Sequence, residues 1–240
     1  MRSSRPTQPP QPPQPPQSPH PSRPERPAPV RAAVVLSALS VVLLLLVAFE
    51  WHPLVSFDRS VADVLHDSAV GHPAVTHTNR ILSDWVWDPW TMRALVAVAC
   101  VWLLRQRERL LALWIAATSA LGSLVQQGLK AAVGRERPEW PDPVDSAHFS
   151  AWPSGHAMTA VVTCGLLVWL LGLRGVNPRL RTAVLVVGTV SWLGVGVTRL
   201  YLGVHWVSDV LGGWLLGGAV VALSVVAYGR LVASREGPSV

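Results

Sequence analysis

"AAVVLSALSVVLLLLVAF", residues 32 to 49, decides how the rest of the chain is read. The run carries no ionisable side chain and is long enough to cross a bilayer core of about 30 Å as a helix. A cleavable signal peptide is the competing reading. The long proline-rich lead and the lack of a small-residue cleavage site after the run argue against cleavage. Working outward, further apolar runs occupy 94–104, 110–129, 155–173, 182–198 and 207–227. The first of these is short and relies on Trp90 and a snorkelling Arg93 to reach across. The expected fold is all-α, an integral membrane bundle of six transmembrane helices.

Composition agrees. Half of the 240 residues are hydrophobic and 14% are charged, where a soluble domain carries about a quarter charged residues. The net charge of +6 suggests nucleic acid only if the basic residues share one surface. They are instead divided among the connections between apolar runs, so no nucleic-acid partner is expected. Cys100 and Cys164 lie inside apolar runs, away from any Cys or His at ligand spacing, so neither a disulfide nor structural zinc is expected.

Residues 1–29 are rich in Pro, Gln, Ser and Arg and have nothing to bury, so they read as a disordered cytoplasmic tail. Recruitment of an SH3-type reader is the sharper alternative. The membrane domain is expected over 30–232, with a short second tail over 233–240. With six spans, one face collects the N-terminal tail, 105–109, 174–181 and the C-terminal tail, in all thirteen arginines and three acids. The other face has seven basic and eleven acidic residues. The excess of Arg places both termini in the cytoplasm.

The connection over 51–91 is long for a plain loop. Phe57, Val61 and Leu65 recur at helical spacing, as do Ile81 and Trp85, which predicts short interfacial helices between the first and second spans. Trp85, Trp87 and Trp90 suit the headgroup region. His52, His66, His72 and His77 lack i,i+4 ligand spacing with a supporting third ligand, so they read as solvated loop histidines and no metal is expected.

The remaining polar residues gather at the outer ends of four spans. Lys130, the only lysine in the chain, closes the third, with Arg135 and Arg137-Pro138 just beyond. "WPSGHA" (152–157) opens the fourth, Thr198-Arg199 closes the fifth, and "HWVSD" (205–209) opens the sixth. Ionisable residues at membrane depth are costly and functional by default. Singly, each has a bland reading as a headgroup anchor, a turn or one buried hydrogen bond. Together they form a set that asks for an anion. His205 and Asp209 stand one helical turn apart, so Asp209 can hold the Nδ1 proton and leave Nε2 a free lone pair, a nucleophile. Ser154, the Gly155 amide and their neighbours present donors at a helix N-terminus. Arg137 and Arg199 offer planar forks, and Lys130 a compact rotatable ammonium that arginine cannot imitate.

"K-x6-R-P" (Lys130 to Arg137-Pro138), "P-S-G-H" (Pro153 to His156) and "R-x5-H-x3-D" (Arg199, His205, Asp209) resemble the three signature motifs of the type-2 phosphatidic-acid phosphatase family. That superfamily also contains bacterial acid phosphatases and vanadium-dependent haloperoxidases. Thr198 stands where the third motif usually has Ser. The resemblance implies that His205 attacks phosphorus, Asp209 orients it, and His156 protonates the leaving oxygen and then activates water. It implies that Lys130, Arg137, Ser154, Gly155 and Arg199 hold the phosphoryl group, with Arg135 an additional cation, and that no metal or other cofactor is needed.

The expected activity is hydrolysis of a lipid phosphate or diphosphate at the extracytoplasmic face of a plasma membrane of bacterial type. Isoprenoid diphosphate, phosphatidic acid and phosphatidylglycerol phosphate are the substrate classes that the resemblance leaves open. A phosphotransferase passing the group to an alcohol and a non-enzymatic transporter or scaffold for anionic lipid are the alternatives. A haloperoxidase is disfavoured by the apolar spans. Binding alone needs neither the acid nor the nucleophile.

Overall fold

In a computed structural model, residues 28–236 are described, and among them the regular structure is helical throughout. The N-terminal tail expected over 1–29 lies outside the described residues except for Ala28 and Pro29, which open the first helix. The helices are α1 (Ala28–Ala48), α2 (His52–Gly71), α3 (Pro73–Ile81), a π-helical turn (Leu82–Val86), α4 (Pro89–Arg105), α5 (Arg109–Val133), α6 (Gly155–Leu173), α7 (Pro178–Tyr201) and α8 (Val207–Glu236).

Local sequence fixes several ends. Asp88 caps α4, its carboxylate accepting from the Trp90 amide, with Pro89 at the first helical position. Asn177 and Pro178 do the same for α7. Gly134 ends α5 in the left-handed region, its amide donating to the Lys130 carbonyl.

Five helices, α1, α5, α6, α7 and α8, are long and apolar enough to cross a membrane. The expected count of six is not reached on that basis. The second expected span lies in α4, whose 17 residues rise about 25 Å, short of a core of about 30 Å. Exposed Val34, Val98, Leu113, Leu124 and Val187 place apolar surface on the outside of the bundle, as expected where the surroundings are hydrocarbon.

α6 stands centrally, packed against α4, α5, α7 and α8, while α8 also packs against α1. Leu103, Ile115 and Leu166 lie at the heart of the cluster that joins α4, α5 and α6. Small residues bring α6 and α8 together. A Cβ on Gly213 would meet the Ser154 carbonyl oxygen at 2.7 Å, and one on Gly217 the Met158 carbonyl oxygen at 2.9 Å. The G-x-x-x-G spacing lets the two backbones touch. It thereby sets the N-terminus of α6 against that of α8.

Two expectations for the 51–91 segment change. It is helical, but α2 buries Asp58, Ala62, His66 and Ala69, while Phe57 and Val64 are exposed. The polar stripe faces inward because it meets the polar ends of α7 and α8 rather than a hydrocarbon core. His66 is accordingly not a solvated loop histidine. It is 5% exposed, stacks on Trp140 at 4.0 Å between centroids, and its Nε2 lies 3.1 Å from Asp142 Oδ1.

Candidate active site

One end of the bundle gathers the motif residues from four elements. Lys130 comes from the last turn of α5. Arg135 and Arg137 lie on the connection to α6, and Ser154, Gly155 and His156 at the start of α6. Arg199 comes from the last turns of α7, and His205 and Asp209 from the turn into α8. Gly203, with φ of 66°, makes the turn that follows α7, and the Trp140 indole packs on it and donates to its carbonyl at 2.9 Å. The chain therefore leaves α7 and re-enters α8 within a few residues, which brings Arg199 and His205 to the same end.

His205 is 2% exposed. Its Nδ1 lies 3.2 Å from Asp209 Oδ2, and its Nε2 lies 3.2 Å from Arg137 Nη1. A guanidinium only donates, so Nε2 accepts and carries no proton. The proton therefore sits on Nδ1 and is donated to Asp209. Burial, followed by the charges of Arg137, Arg199 and Lys130, holds the His205 imidazolium well below its ordinary range. The ring is neutral, with its lone pair aimed at the cations.

Asp209 is fully buried. Its Oδ2 also accepts from the Trp206 amide at 2.9 Å, and its Oδ1 accepts from Arg135 Nη1 at 2.6 Å. Its backbone carbonyl accepts from the Ser154 amide at 2.9 Å, which ties the two helix N-termini directly.

Arg137 is fixed from behind by carbonyls: Nε donates to Phe149 at 2.9 Å, Nη2 to His148 at 3.1 Å and Nη1 to Val204 at 2.5 Å. Lys130, 7% exposed, donates to the carbonyls of Ser150 and Ala151. Arg199, 4% exposed, donates from Nη1 to Ser83 Oγ at 2.8 Å on the π-helical turn, with Asp145 at 3.9 Å. Among the described residues, four buried polar atoms at this end have no hydrogen-bond partner in the protein: Ser154 Oγ and Arg199 Nε on motif residues, and Trp152 Nε1 and His66 Nδ1 beside them. Such a group costs roughly 1–3 kcal/mol. His156 lies within electrostatic reach of Arg199, His205, Arg137 and Lys130.

Arg135 is placed differently from the other cations. Its two terminal nitrogens are taken up by Asp209, Ser208 and Asp58, so it lies behind the His205–Asp209 pair and not beside Nε2. The hydroxyl of Thr198 donates to the Val195 carbonyl at 2.9 Å within its own helix. Exchange of Ser for Thr at that position therefore leaves the site's donors as they are.

The family model described as "PAP2 superfamily" matches residues 110–233, about half of the chain, and these contain all three motifs. The chain belongs to the PAP2 superfamily. Among curated PAP2 relatives, Phosphatidylglycerophosphatase B of Bacillus subtilis is 36% identical over 96 residues, 39% of this chain and 46% of that protein. Undecaprenyl-diphosphatase of Sulfolobus acidocaldarius is 36% identical over 85 residues, 35% of each chain. Lipid A 1-phosphatase of Rhizobium etli is 31% identical over 130 residues, 49% of this chain and 52% of that protein. The chain thus spans about half or less of the length of these relatives. The fold also matches the crystal structure of a transmembrane PAP2 type phosphatidylglycerolphosphate phosphatase from Bacillus subtilis. The TM-score is 0.73 at 22% identity, covering 83% of this chain and 96% of that one.

Three residues of this PAP2 site were not legible in the motifs: Asp58 on α2, Ser83 on the π-helical turn and Ser208 on α8. Asp58 and Ser83 lie upstream of the matched region. Only a buried-face pattern, Asp58, Ala62, His66 and Ala69 at helical spacing, marks the first in sequence.

Proposed function

We propose that this PAP2 protein is an integral membrane phosphatase that hydrolyses a lipid phosphate or diphosphate through a phosphohistidine on His205. The observation that carries this reading is the placement of His205, with Nδ1 3.2 Å from Asp209 Oδ2 and Nε2 3.2 Å from Arg137 Nη1. Its Nδ1 proton is held by Asp209, and its Nε2 lone pair faces Arg137, amid donors with unused hydrogen-bonding capacity.

Arg137, Lys130, Arg199, Ser154 and the Gly155 amide bind the phosphoryl oxygens, which satisfies Ser154 Oγ and Arg199 Nε. The Nε2 lone pair attacks phosphorus while the bond to the leaving oxygen breaks. The leaving oxygen takes a proton from His156. Asp209 and the cations then bear the charge of the phosphoimidazolium and of the transferring group. In the second step, a water gives a proton to His156 and attacks phosphorus. The electrons of the Nε2–P bond return to nitrogen, inorganic phosphate leaves, and His156 is protonated again. In this mechanism the charge on the phosphoryl group is offset by side-chain cations, so chelators leave activity intact.

Substrates acted on by the named relatives define the first panel: phosphatidylglycerol phosphate, undecaprenyl diphosphate and a lipid A 1-phosphate. Purified protein in detergent is expected to release phosphate from at least one of them, with EDTA present. An aryl phosphate with a low-pKa phenol separates the two histidines, because its phenolate leaves without protonation. In His156→Ala the first step then survives and the second stalls. An acid-labile ³²P label accumulates, with a phenol burst of about one equivalent. His205→Ala shows neither. A label retained in His205→Ala and absent in His156→Ala would reverse the roles, and activity lost in EDTA and restored by Mg²⁺ would remove the metal-free mechanism.

A further inference from the structure

Asp58 is 1% exposed and sits on α2, outside every motif and upstream of the matched family region. Its Oδ1 accepts from the Ser208 amide at 2.9 Å, so it satisfies an otherwise free donor in the first turn of α8 from another element. Its Oδ2 accepts from Ser208 Oγ and, at 2.8 Å, from Arg135 Nη2. Arg135 Nη1 in turn donates to Asp209 Oδ1 at 2.6 Å and to Ser208 Oγ at 2.7 Å. One guanidinium thus bridges two buried carboxylates, and the second of them holds the nucleophile's Nδ1 proton.

Charge balance says what the first carboxylate is for. Arg135 with Asp209 alone is a neutral pair. Such a pair is a weak acceptor for Nδ1–H and a weak counter-charge for a positive ring. With Asp58 added, the group carries one net negative charge directly behind His205. That charge matters most when Nε2 bonds to phosphorus and the ring becomes a cation, in a buried site where charges are poorly screened. Capping the Ser208 amide needs an acceptor but not a charge, and replacing a buried ion pair by apolar packing is often neutral or stabilising, so holding α2 in place does not account for the carboxylate's charge.

We infer that Asp58 is a positioning residue for catalysis: through Arg135 it keeps Asp209 negative and oriented, and so stabilises the charged phosphohistidine. The inference rests on the proposed phosphohistidine mechanism. It gives α2, a segment before the second expected span, a part in positioning the catalytic pair.

The test compares kcat and KM for wild type, Asp58→Asn, Asp58→Glu, Arg135→Gln and the double variant Asp58→Asn/Arg135→Gln. Rates are taken per folded, monodisperse protein, on whichever lipid of the panel wild type cleaves. Asp58→Asn keeps the shape and an acceptor for the Ser208 amide but removes the charge. Its kcat is expected to fall about 10- to 100-fold, by analogy with the outer partners that orient metal-ligating histidines, with KM within about twofold. Asp58→Glu recovers most of the loss. The double variant is no slower than Arg135→Gln, because without the guanidinium Asp58 is no longer linked to Asp209, which then carries the single negative charge behind His205 by itself.

A kcat for Asp58→Asn within twofold of wild type overturns the inference. So does a loss confined to the yield of folded protein, or a double variant slower by the product of the two single effects. Should Asp58→Asn fail to fold, Ser208→Ala carries the test. It removes a hydroxyl shared by Asp58 and Arg135, and several-fold lower kcat at unchanged KM is expected, with wild-type kcat as the overturning result. Wild type inactive on every lipid, or active with His205→Ala equally active, would instead defeat the phosphohistidine reading itself.

Discussion

Lys130 shows how a single residue is chosen. Its ammonium reaches two adjacent backbone carbonyls, those of Ser150 and Ala151, from the last turn of a helix. It does so at the mouth of a cluster that includes Arg137 and Arg199. A compact donor with three rotatable protons can hold both carbonyls and still face an anion, whereas a planar fork must choose. Lys130→Arg is therefore expected to lower kcat/KM about a hundredfold, equivalent to about 2.7 kcal/mol of transition-state stabilisation, although the charge is unchanged. Steady-state kinetics on a cleaved lipid measures this, and near-wild-type kinetics would mean that any cation serves at position 130. The same contrast separates Arg137 from Arg135. Arg137 is braced by carbonyls, which leave its charge uncompensated toward His205. Arg135 is braced by carboxylates, which spend its charge on Asp209.

Among the elements, the α6–α8 contact governs the site. His156 and Ser154 open one helix and Asp209 the other, and Gly213 and Gly217 set how closely the two approach. Gly213→Val places a side chain against the Ser154 carbonyl, the Ala157 methyl and the Met158 amide, mostly backbone that cannot swing aside. Overpacking of this kind costs about 1–3 kcal/mol, and here it also parts the Ser154 amide from the Asp209 carbonyl. The expected outcome is a lowered melting temperature in detergent together with loss of phosphatase activity. Gly128→Ala, on a helix face where an added Cβ meets nothing within 4 Å, is the control and is expected to match wild type. Equal behaviour of the two variants would show that the close approach is not what aligns the site.

For the whole molecule, the question is how the chain threads a membrane. Val47 near the end of α1 shares a cluster with Trp152, against which Leu129 and Val133 of α5 also pack. The C-terminal ends of α1 and α5 therefore lie at the same end of the bundle, and the short α4 between them runs back to the other. The threading we propose has six crossings, the site end outward and the arginine-rich connections in the cytoplasm. Cysteines placed singly at Ala147 and Asn177, in a background lacking Cys100 and Cys164, are expected to react with an impermeant maleimide from opposite sides. Labelling of both from one side would defeat this threading.

The sequence by itself determined the helical membrane character and the place of each motif at a helix end, because apolar run length and motif spacing are written in consecutive residues. It also indicated the His205–Asp209 pair, four residues apart across the start of α8. It did not show that α2 turns its polar stripe inward, that His66 stacks on Trp140, or that Arg199 rests on Ser83. Nor did it show that Arg135 bridges Asp209 to an aspartate elsewhere. Asp58 is 77 residues from Arg135 and 150 from Ser208. No local spacing relates such positions, and only the close approach of α2 to the start of α8 makes them one buried group. The count of crossings was undecided for a related reason. A 17-residue helix is ambiguous by length alone, and the packing of α1 and α5 at one end is what gives α4 its direction.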